Sequence, residues 1–292
     1  MFLLLDFLIY IVITLFIGSL LTPMPLTDSG GVRYRTLPWM TFLLITTNSL
    51  AFLIWQAPNL YQGSQLYEAG DSSGQYMIYD YVKQLWLYGY RADLMREGLS
   101  IGAFSTFTSM FMHGDMWHLL GNMIYLWAFG RRIEDSCGPW RYLLFYLFAG
   151  MVANFGSTAL NPAMELPAIG ASGAISGIMG AYLIMFPSGM VISFWGIGIA
   201  IRLPIVAVMK VIGVRRVADA PTWRWTIKLP AWFLLIYFLV ENTLPSLQIL
   251  QQSQNYGGVN TLAHVTGFLA ALMIFLFVRK DLLTRYLAGR SL

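Results

Sequence analysis

Long apolar runs separated by short charged clusters dominate this chain, and the runs do not alternate apolar with polar residues. Their length is that of membrane-crossing helices, about 20 residues each, or fewer where a helix is sunk within protein. The pattern predicts seven spans: Phe2–Leu21, Pro38–Ala57, Met116–Gly130, Tyr142–Leu160, Ser172–Phe186, Leu229–Leu247 and Gly258–Val278. A transmembrane β-barrel is excluded, because its strands would need a two-residue alternation. The expected class is an all-α polytopic membrane protein. Phe2–Leu21 lacks a basic leading segment, carries Asp6 and precedes no convincing cleavage site, so it reads as a retained helix.

Composition agrees with the pattern. Hydrophobic residues make up 57% of the chain and charged residues 11%, with a mean hydropathy of +0.61. A soluble domain carries about 25% charge. The net charge of +4 is small, so nothing points to nucleic acid. Its distribution is informative. Of the 18 Lys and Arg residues, all but Lys83, Arg91 and Arg96 fall on one side of the seven-span scheme. That asymmetry places the N-terminus outside and the C-terminus in the cytoplasm.

Two segments need separate treatment. Met190–Val211 is apolar enough for an eighth span, but Arg202, Pro204 and Lys210 interrupt it. We therefore expect an interfacial or half-inserted cytoplasmic loop. Pro58–Met112 is expected as a long outer loop, and Tyr79, Tyr81, Trp86 and Tyr88 fit either the headgroup level or an ordinary solvated loop.

Candidate chemistry stands out by contrast. The stretch Leu166–Ile201 has no charged residue, yet it holds Gly170-Ala171-Ser172-Gly173. A helix from Ser172 to Phe186 would be roughly 22 Å long. Against a hydrocarbon core of about 30 Å, that leaves Ser172 several ångströms below the outer surface. A helix N-terminus offers free N–H groups and a positive dipole end, so a serine there can be a nucleophile beside an anion site. By itself the tetrapeptide fits an N-cap or a packing serine better.

His264 changes the balance. It lies at comparable depth in its own span, and small residues line both helices: Gly173, Gly177 and Ala181 on one, Ala263, Gly267 and Ala271 on the other. Such spacing lets backbones approach closely. The imidazole would then come within reach of the Ser172 hydroxyl, as a general base must. An eighth span would separate the two residues, which is a second argument against it. The alternative is a histidine bonded to another helix.

The remaining two of the three histidines lie in His113-Gly114-Asp115-Met116-Trp117-His118-Leu119-Leu120-Gly121-Asn122. His118 and Asn122 share a helix face and could donate into one cavity, as oxyanion donors do. A polar network that only joins helices explains this cluster slightly better when it is taken alone. His113 is placed to pin the outer loop. No carboxylate presents itself as a third partner: Asp115 is on the outer rim, Glu134, Asp135 and Asp281 are cytoplasmic, and Glu241 has no link to His264. A dyad is the economical reading. One cysteine, Cys137, allows neither an internal disulfide nor a thiolate cluster, and three histidines over two segments give a zinc site only poor support.

In order, His113-x4-His118-x3-Asn122, Gly170-Ala171-Ser172-Gly173 and Ala263-His264-x2-Gly267-Phe268 resemble the rhomboid family of intramembrane serine proteases. The likeness runs from Pro38 to Val278. It includes Phe129-Gly130, Glu134-Asp135 and Gly138, and Leu229-Pro230-Ala231-Trp232. The resemblance implies a six-helix rhomboid-like core with one additional N-terminal transmembrane helix. It makes Ser172 the nucleophile and His264 the base, with His118, Asn122 and the Ser172 N–H as the oxyanion hole. His113, Gly170, Gly173 and Gly267 become supporting residues. No cofactor is implied.

Three departures are visible. Phe104-Ser105 stand where some members carry Trp-Arg. Ser176 stands where some carry an aromatic residue that supports the histidine ring. The stretch from Pro187 to Leu229 is longer than the family's usual loop.

The chain is thus expected to divide into residues 1–35, an additional helix and cytoplasmic linker; residues 36–282, the protease core; and residues 283–292, a short tail. The expected partners are transmembrane protein substrates and the lipid bilayer, with no nucleic acid; the sequence assigns no oligomeric state. The expected site is a multi-pass protein of a bacterial-type plasma membrane, its active site opening outward and its C-terminus cytoplasmic. Two other classes compete. One is a non-catalytic rhomboid-like protein that binds transmembrane helices, for which loss of Ser172 or His264 would be the sign. The other is a channel or transporter, which would need a continuous polar path that these helices lack.

Overall fold

Helix ends and apolar faces decide this architecture, seen in a computed structural model that describes residues 13, 16–30, 37–93, 99–161, 166–213, 225–240 and 261–290. Most of the expected first span, Phe2–Leu21, and the segment from 241 to 260 lie outside the described residues. The chain forms two units, Met1–Gly31 with Ser188–Leu234 and Val32–Pro187 with Leu235–Leu292.

The second of these carries the candidate site. Its first helix, α1 (Trp39–Glu68), is 30 residues long. It passes Pro58 without stopping, because the turns Ala51–Gln56 and Pro58–Gln62 widen to π-type around a residue that has no N–H to donate. α2 (Ser72–Tyr88) follows, capped by Asp71, whose side chain accepts from Ser73 N. α3 (Leu99–Thr108) comes next. The expected outer loop Pro58–Met112 is therefore mainly helical. Pro58, at the expected end of the span, stands at the start of a new turn.

α4 (Met116–Tyr125) runs on through Leu126–Gly130 and Arg131–Cys137. Pro139 opens α5 (Pro139–Leu160), and α6 spans Ser172–Met185, one residue short of expectation. Buried Glu134 on the continuation of α4 accepts from Met40 N (3.0 Å), Thr41 N (2.8 Å) and Thr41 Oγ1 (2.7 Å). This carboxylate satisfies donors at the start of α1 that have no partner within the helix.

The other unit corrects the all-α expectation. β1 (Met24–Asp28), β2 (Met190–Phe194) and β3 (Ile227–Pro230) form an antiparallel sheet in that order. Met24 faces Phe194 across one pair and Met190 faces Pro230 across the other. Pro25 lies on an edge strand whose register shifts before Thr27, the place where a missing N–H is tolerated. Met190–Val211, expected as a loop, is β2 followed by α7 (Gly196–Val211), with Pro204 inside the helix. Arg202 of α7, one of the residues that argued against an eighth span, donates to the Thr226 carbonyl (3.1 Å).

α8 (Ala231–Val240) leads from β3 toward the segment before α9 (Thr261–Ala270). α9 tightens into a 3₁₀ stretch, Ala271–Leu276, and α10 (Lys280–Leu287) turns away from Leu262–Leu276 by 101°. Trp39–Glu68 and Pro139–Leu160 are each long and apolar enough to cross a membrane, and the bent pair would be a third. α6 and α8 are apolar but shorter. Such short helices suit positions surrounded by other helices, and most of α6 is buried.

Candidate active site

α5, α6 and α9 pack against one another without room for side chains at the crossing points. A Cβ on Gly173 would lie 2.6 Å from Ala153 Cβ, and one on Gly177 would lie 2.5 Å from Ala149 Cβ and 3.0 Å from the Gly267 carbonyl. A Cβ on Gly267 would run into the Gly173 carbonyl. Ser172 and His264 each adjoin this contact, through Gly173 and Ala263, so the two stand at one level of α6 and α9.

Ser172 is the first residue of α6, and the N-cap position belongs to Ala171, which has no side chain to cap with. The N-cap reading of the serine is thus corrected: its hydroxyl is not spent on the helix. Ser176 Oγ donates to the Ser172 carbonyl (2.8 Å), one turn on.

The loop before Ser172 is held from several sides. Ala168 and Tyr90 exchange backbone hydrogen bonds of 2.8 and 2.9 Å, and Gly170 N donates to the Ser109 carbonyl (2.9 Å). Asn154 of α5 steadies that partner, donating from Nδ2 to Ser109 Oγ and to the Thr106 carbonyl, both at 3.1 Å. Gly170 has φ +112°, a conformation that side chains disfavour. Space forbids one as well. A Cβ there would lie 2.6 Å from His118 Nε2 and 3.5 Å from Asn122 Nδ2.

Those two atoms come from α4, where Asp115 caps the helix by accepting from His118 N (2.8 Å). His118 Nδ1 accepts from Gly114 N (3.4 Å), so in the neutral ring the proton sits on Nε2, the nitrogen beside Gly170. Asn122 Nδ2 is buried and has no hydrogen-bond partner among the described residues. Two donors therefore converge beside the N-terminus of α6, and the Gly114 N–H fixes the direction of hydrogen bonding for His118.

His113 is fully buried ahead of α4, and its backbone is clasped by Gln56: His113 N donates to Gln56 Oε1 (3.1 Å) and Gln56 Nε2 to the His113 carbonyl (2.9 Å). Its ring stands edge-on to that of His118, with centroids 5.1 Å apart. Neither ring nitrogen has a hydrogen bond of good geometry among the described residues, and burial with the neighbouring His118 pushes its pKa down to about 3 against a weaker opposing pull from the Phe111 backbone.

His264 is buried on α9, and its Nδ1 has no hydrogen-bond partner among the described residues. No hydrogen bond joins it to Ser172 among the described residues. Its ring lies 5.4 Å from that of Phe238 on α8. Sequence reasoning missed Phe238, Asn154 and Gln56. A polar residue in an apolar run was a usable signal for the last two; a phenylalanine among apolar residues gives none. Ser105, at the departing position, bonds back to the Gly102 carbonyl within α3.

A family model described as the Rhomboid domain matches residues 102–281. The chain is 26% identical over 117 residues to "Rhomboid protein 1, mitochondrial" of Saccharomyces cerevisiae, covering 39% of this chain and 34% of that protein. It is 25% identical over 148 residues to "Presenilin-associated rhomboid-like protein, mitochondrial" of Rattus norvegicus, covering 50% and 33%. It is 40% identical over 76 residues to "Rhomboid protease GluP" of Bacillus subtilis, covering 26% and 14%. The matched stretches thus span about a third or less of these relatives. Mitochondrial and bacterial proteins both appear, so the relatives do not single out the bacterial-type plasma membrane expected from the sequence.

Proposed function

The chain belongs to the rhomboid family, and on that footing we propose that it is an intramembrane serine endopeptidase. Ser172 Oγ attacks the scissile carbonyl as His264 takes its proton. The negative charge that develops on the carbonyl oxygen is met by His118 Nε2–H, Asn122 Nδ2–H and the Ser172 N–H at the start of α6. When the intermediate collapses, His264 gives its proton to the leaving amine. Water then repeats the cycle on the acyl-enzyme, with His264 as base, and releases the carboxylate product. Proton and electron counts balance with no cofactor.

The observation that carries this reading is the convergence of His118 Nε2 and the unpartnered Asn122 Nδ2 beside Gly170, two residues before a serine at an uncapped helix start. A network meant only to join helices would spend the Asn122 amide on a partner. Ser172 and His264 at one level of α6 and α9 supply the nucleophile and base; in the absence of substrate such pairs are commonly too far apart for a hydrogen bond.

The substrates proposed are single-pass membrane proteins, cut in or near the outer end of their transmembrane segment. The site opens to the outer side and the C-terminus is cytoplasmic, as the basic residues indicate. The test is purified protein in detergent, given a transmembrane substrate and separately a fluorophosphonate probe. We expect cleavage and labelling at Ser172, both lost in Ser172→Ala and largely lost in His264→Ala with folding intact. Cleavage by Ser172→Ala at the wild-type rate would overturn the mechanism. Wild-type protein that binds the substrate helix without cutting it or reacting with the probe would be the non-catalytic helix binder.

A further inference from the structure

A general base must present one ring nitrogen in one direction, so something has to fix the imidazole's rotation. The usual device is a hydrogen bond from the other ring nitrogen, and His264 Nδ1 has none among the described residues. No carboxylate faces His264 among the described residues; its ionisable neighbour is His118. A ring one turn after the nucleophile would be a second device. That place is taken by Ser176, whose hydroxyl is engaged with the Ser172 carbonyl.

We propose that Phe238 of α8 is the positioning residue of His264, its ring setting the orientation of the base from a neighbouring helix. This assignment rests on the Ser172–His264 reading above. The two ring centroids are 5.4 Å apart with the planes inclined at 46°, within the range of attractive ring pairs. Phe238 is itself buried and also meets Tyr125 of α4, with centroids 5.0 Å apart. Tyr125 stacks on Phe129 (6.2 Å, 11°), and Phe129 meets Tyr182 edge-on at 5.1 Å. Tyr182 belongs to α6, the helix that starts with Ser172. The column of rings therefore leaves the helix of the nucleophile, crosses α4 and α8, and returns to the base on α9. A shift of α8 would turn His264 without touching Ser172.

The experiment compares wild type, Phe238→Leu and Phe238→Tyr in detergent. It reads the rate of fluorophosphonate labelling at Ser172, kcat and KM on a transmembrane substrate, and thermal melting. Removing the ring is expected to slow labelling and lower kcat by about three- to tenfold, with KM and melting little changed. Phe238→Tyr, which keeps the ring, is expected to restore both rates to within about twofold. A small soluble probe needs no helix entry, so slower labelling separates orientation of the base from substrate access.

Labelling of Phe238→Leu at the wild-type rate, or a change confined to KM, would overturn the assignment. So would equal losses in Phe238→Leu and Phe238→Tyr, since both variants cannot lack the ring. Should Phe238→Leu fail to fold, Phe238→Met is also ringless and closer in volume, and carries the same test. Failure of wild-type protein to label at Ser172 would instead remove the serine-protease reading, and this proposal with it.

Discussion

A buried amide without a partner is costly, so Asn122 is the residue whose position asks most for an explanation. If its Nδ2 waits for the oxyanion, Asn122→Ala should lower kcat by roughly 10²–10³ while leaving KM near wild type, because the bond forms only in the transition state. Steady-state cleavage assays check this, and an unchanged kcat would remove Asn122 from the site. His113 makes a different demand. Burial, reinforced by His118, holds its folded pKa near 3, whereas an unfolded histidine titrates near 6.5. Between those values the unfolded state binds a proton that the folded state does not, so stability is retained above about pH 6.5 and declines as the pH falls below it. Wild-type Tm should therefore drop more steeply from pH 7.5 to pH 5 than that of His113→Gln, as thermal melting would measure; parallel curves would contradict a neutral buried ring. The polar members of the site were legible in the sequence because a polar group in an apolar run is conspicuous. Phe238 was not, since burial of one more apolar ring leaves no trace in composition or spacing.

At the scale of elements, the long apolar helices were readable from their runs, and the close approach of α6 to α9 from their small residues. That approach makes a specific prediction. A methyl group on Gly267 would meet the Gly173 carbonyl and push α9 away from α6. Misplacement of reacting groups by an ångström can cost about 10²-fold in rate. Gly267→Ala should lose most activity by that route, whereas Gly121→Ala, with nothing within 4 Å of the new carbon, should cleave at close to the wild-type rate. Comparable activities for the two variants would show that the contact does not set the geometry. The start of α1 is an equally local matter. Glu134→Ala removes three hydrogen bonds to a carboxylate and leaves buried donors of Met40 and Thr41 unsatisfied, at a cost of about 2–3 kcal/mol or more, to be seen as a lower Tm. What the sequence hid at this scale was the sheet. β2 (Met190–Phe194) is five residues inside an uncharged apolar run, too short for its alternation to show against the background. Its partners come from distant parts of the chain, and pairing of that kind has no local signature. The passage of α1 through Pro58 was hidden for a related reason: a proline reads alike as a stop and as the first residue of the next turn.

For the whole molecule, the strongest evidence on orientation remains the skew of basic residues, with Lys83, Arg91 and Arg96 alone on the outer side of the seven-span scheme. Membrane insertion responds to such a skew in short loops rather than to net charge, so the proposed orientation does not depend on the net charge of +4. The described helices agree with a membrane protein, but they meet the length for a full crossing in two cases, or three with the bent pair. Orientation therefore has to be tested apart from the span count. The chain is well suited to this, because its one cysteine, Cys137, is buried and should react slowly with a bulky thiol reagent. Ser72→Cys at the exposed start of α2 and Ala288→Cys at the exposed end of α10 place single reporters on the two predicted sides. In intact cells, a membrane-impermeant maleimide should label Ser72→Cys and leave Ala288→Cys untouched until the membrane is permeabilised. Labelling of both before permeabilisation, or the reverse order, would overturn the assignment of sides. It would also move the opening of the proposed site: the Tyr81 hydroxyl of α2 donates to the Gly114 carbonyl just ahead of α4, Ala168 pairs with Tyr90, Gly170 N donates to the Ser109 carbonyl, and Gly170 lies against His118 of α4, so these parts face the same way.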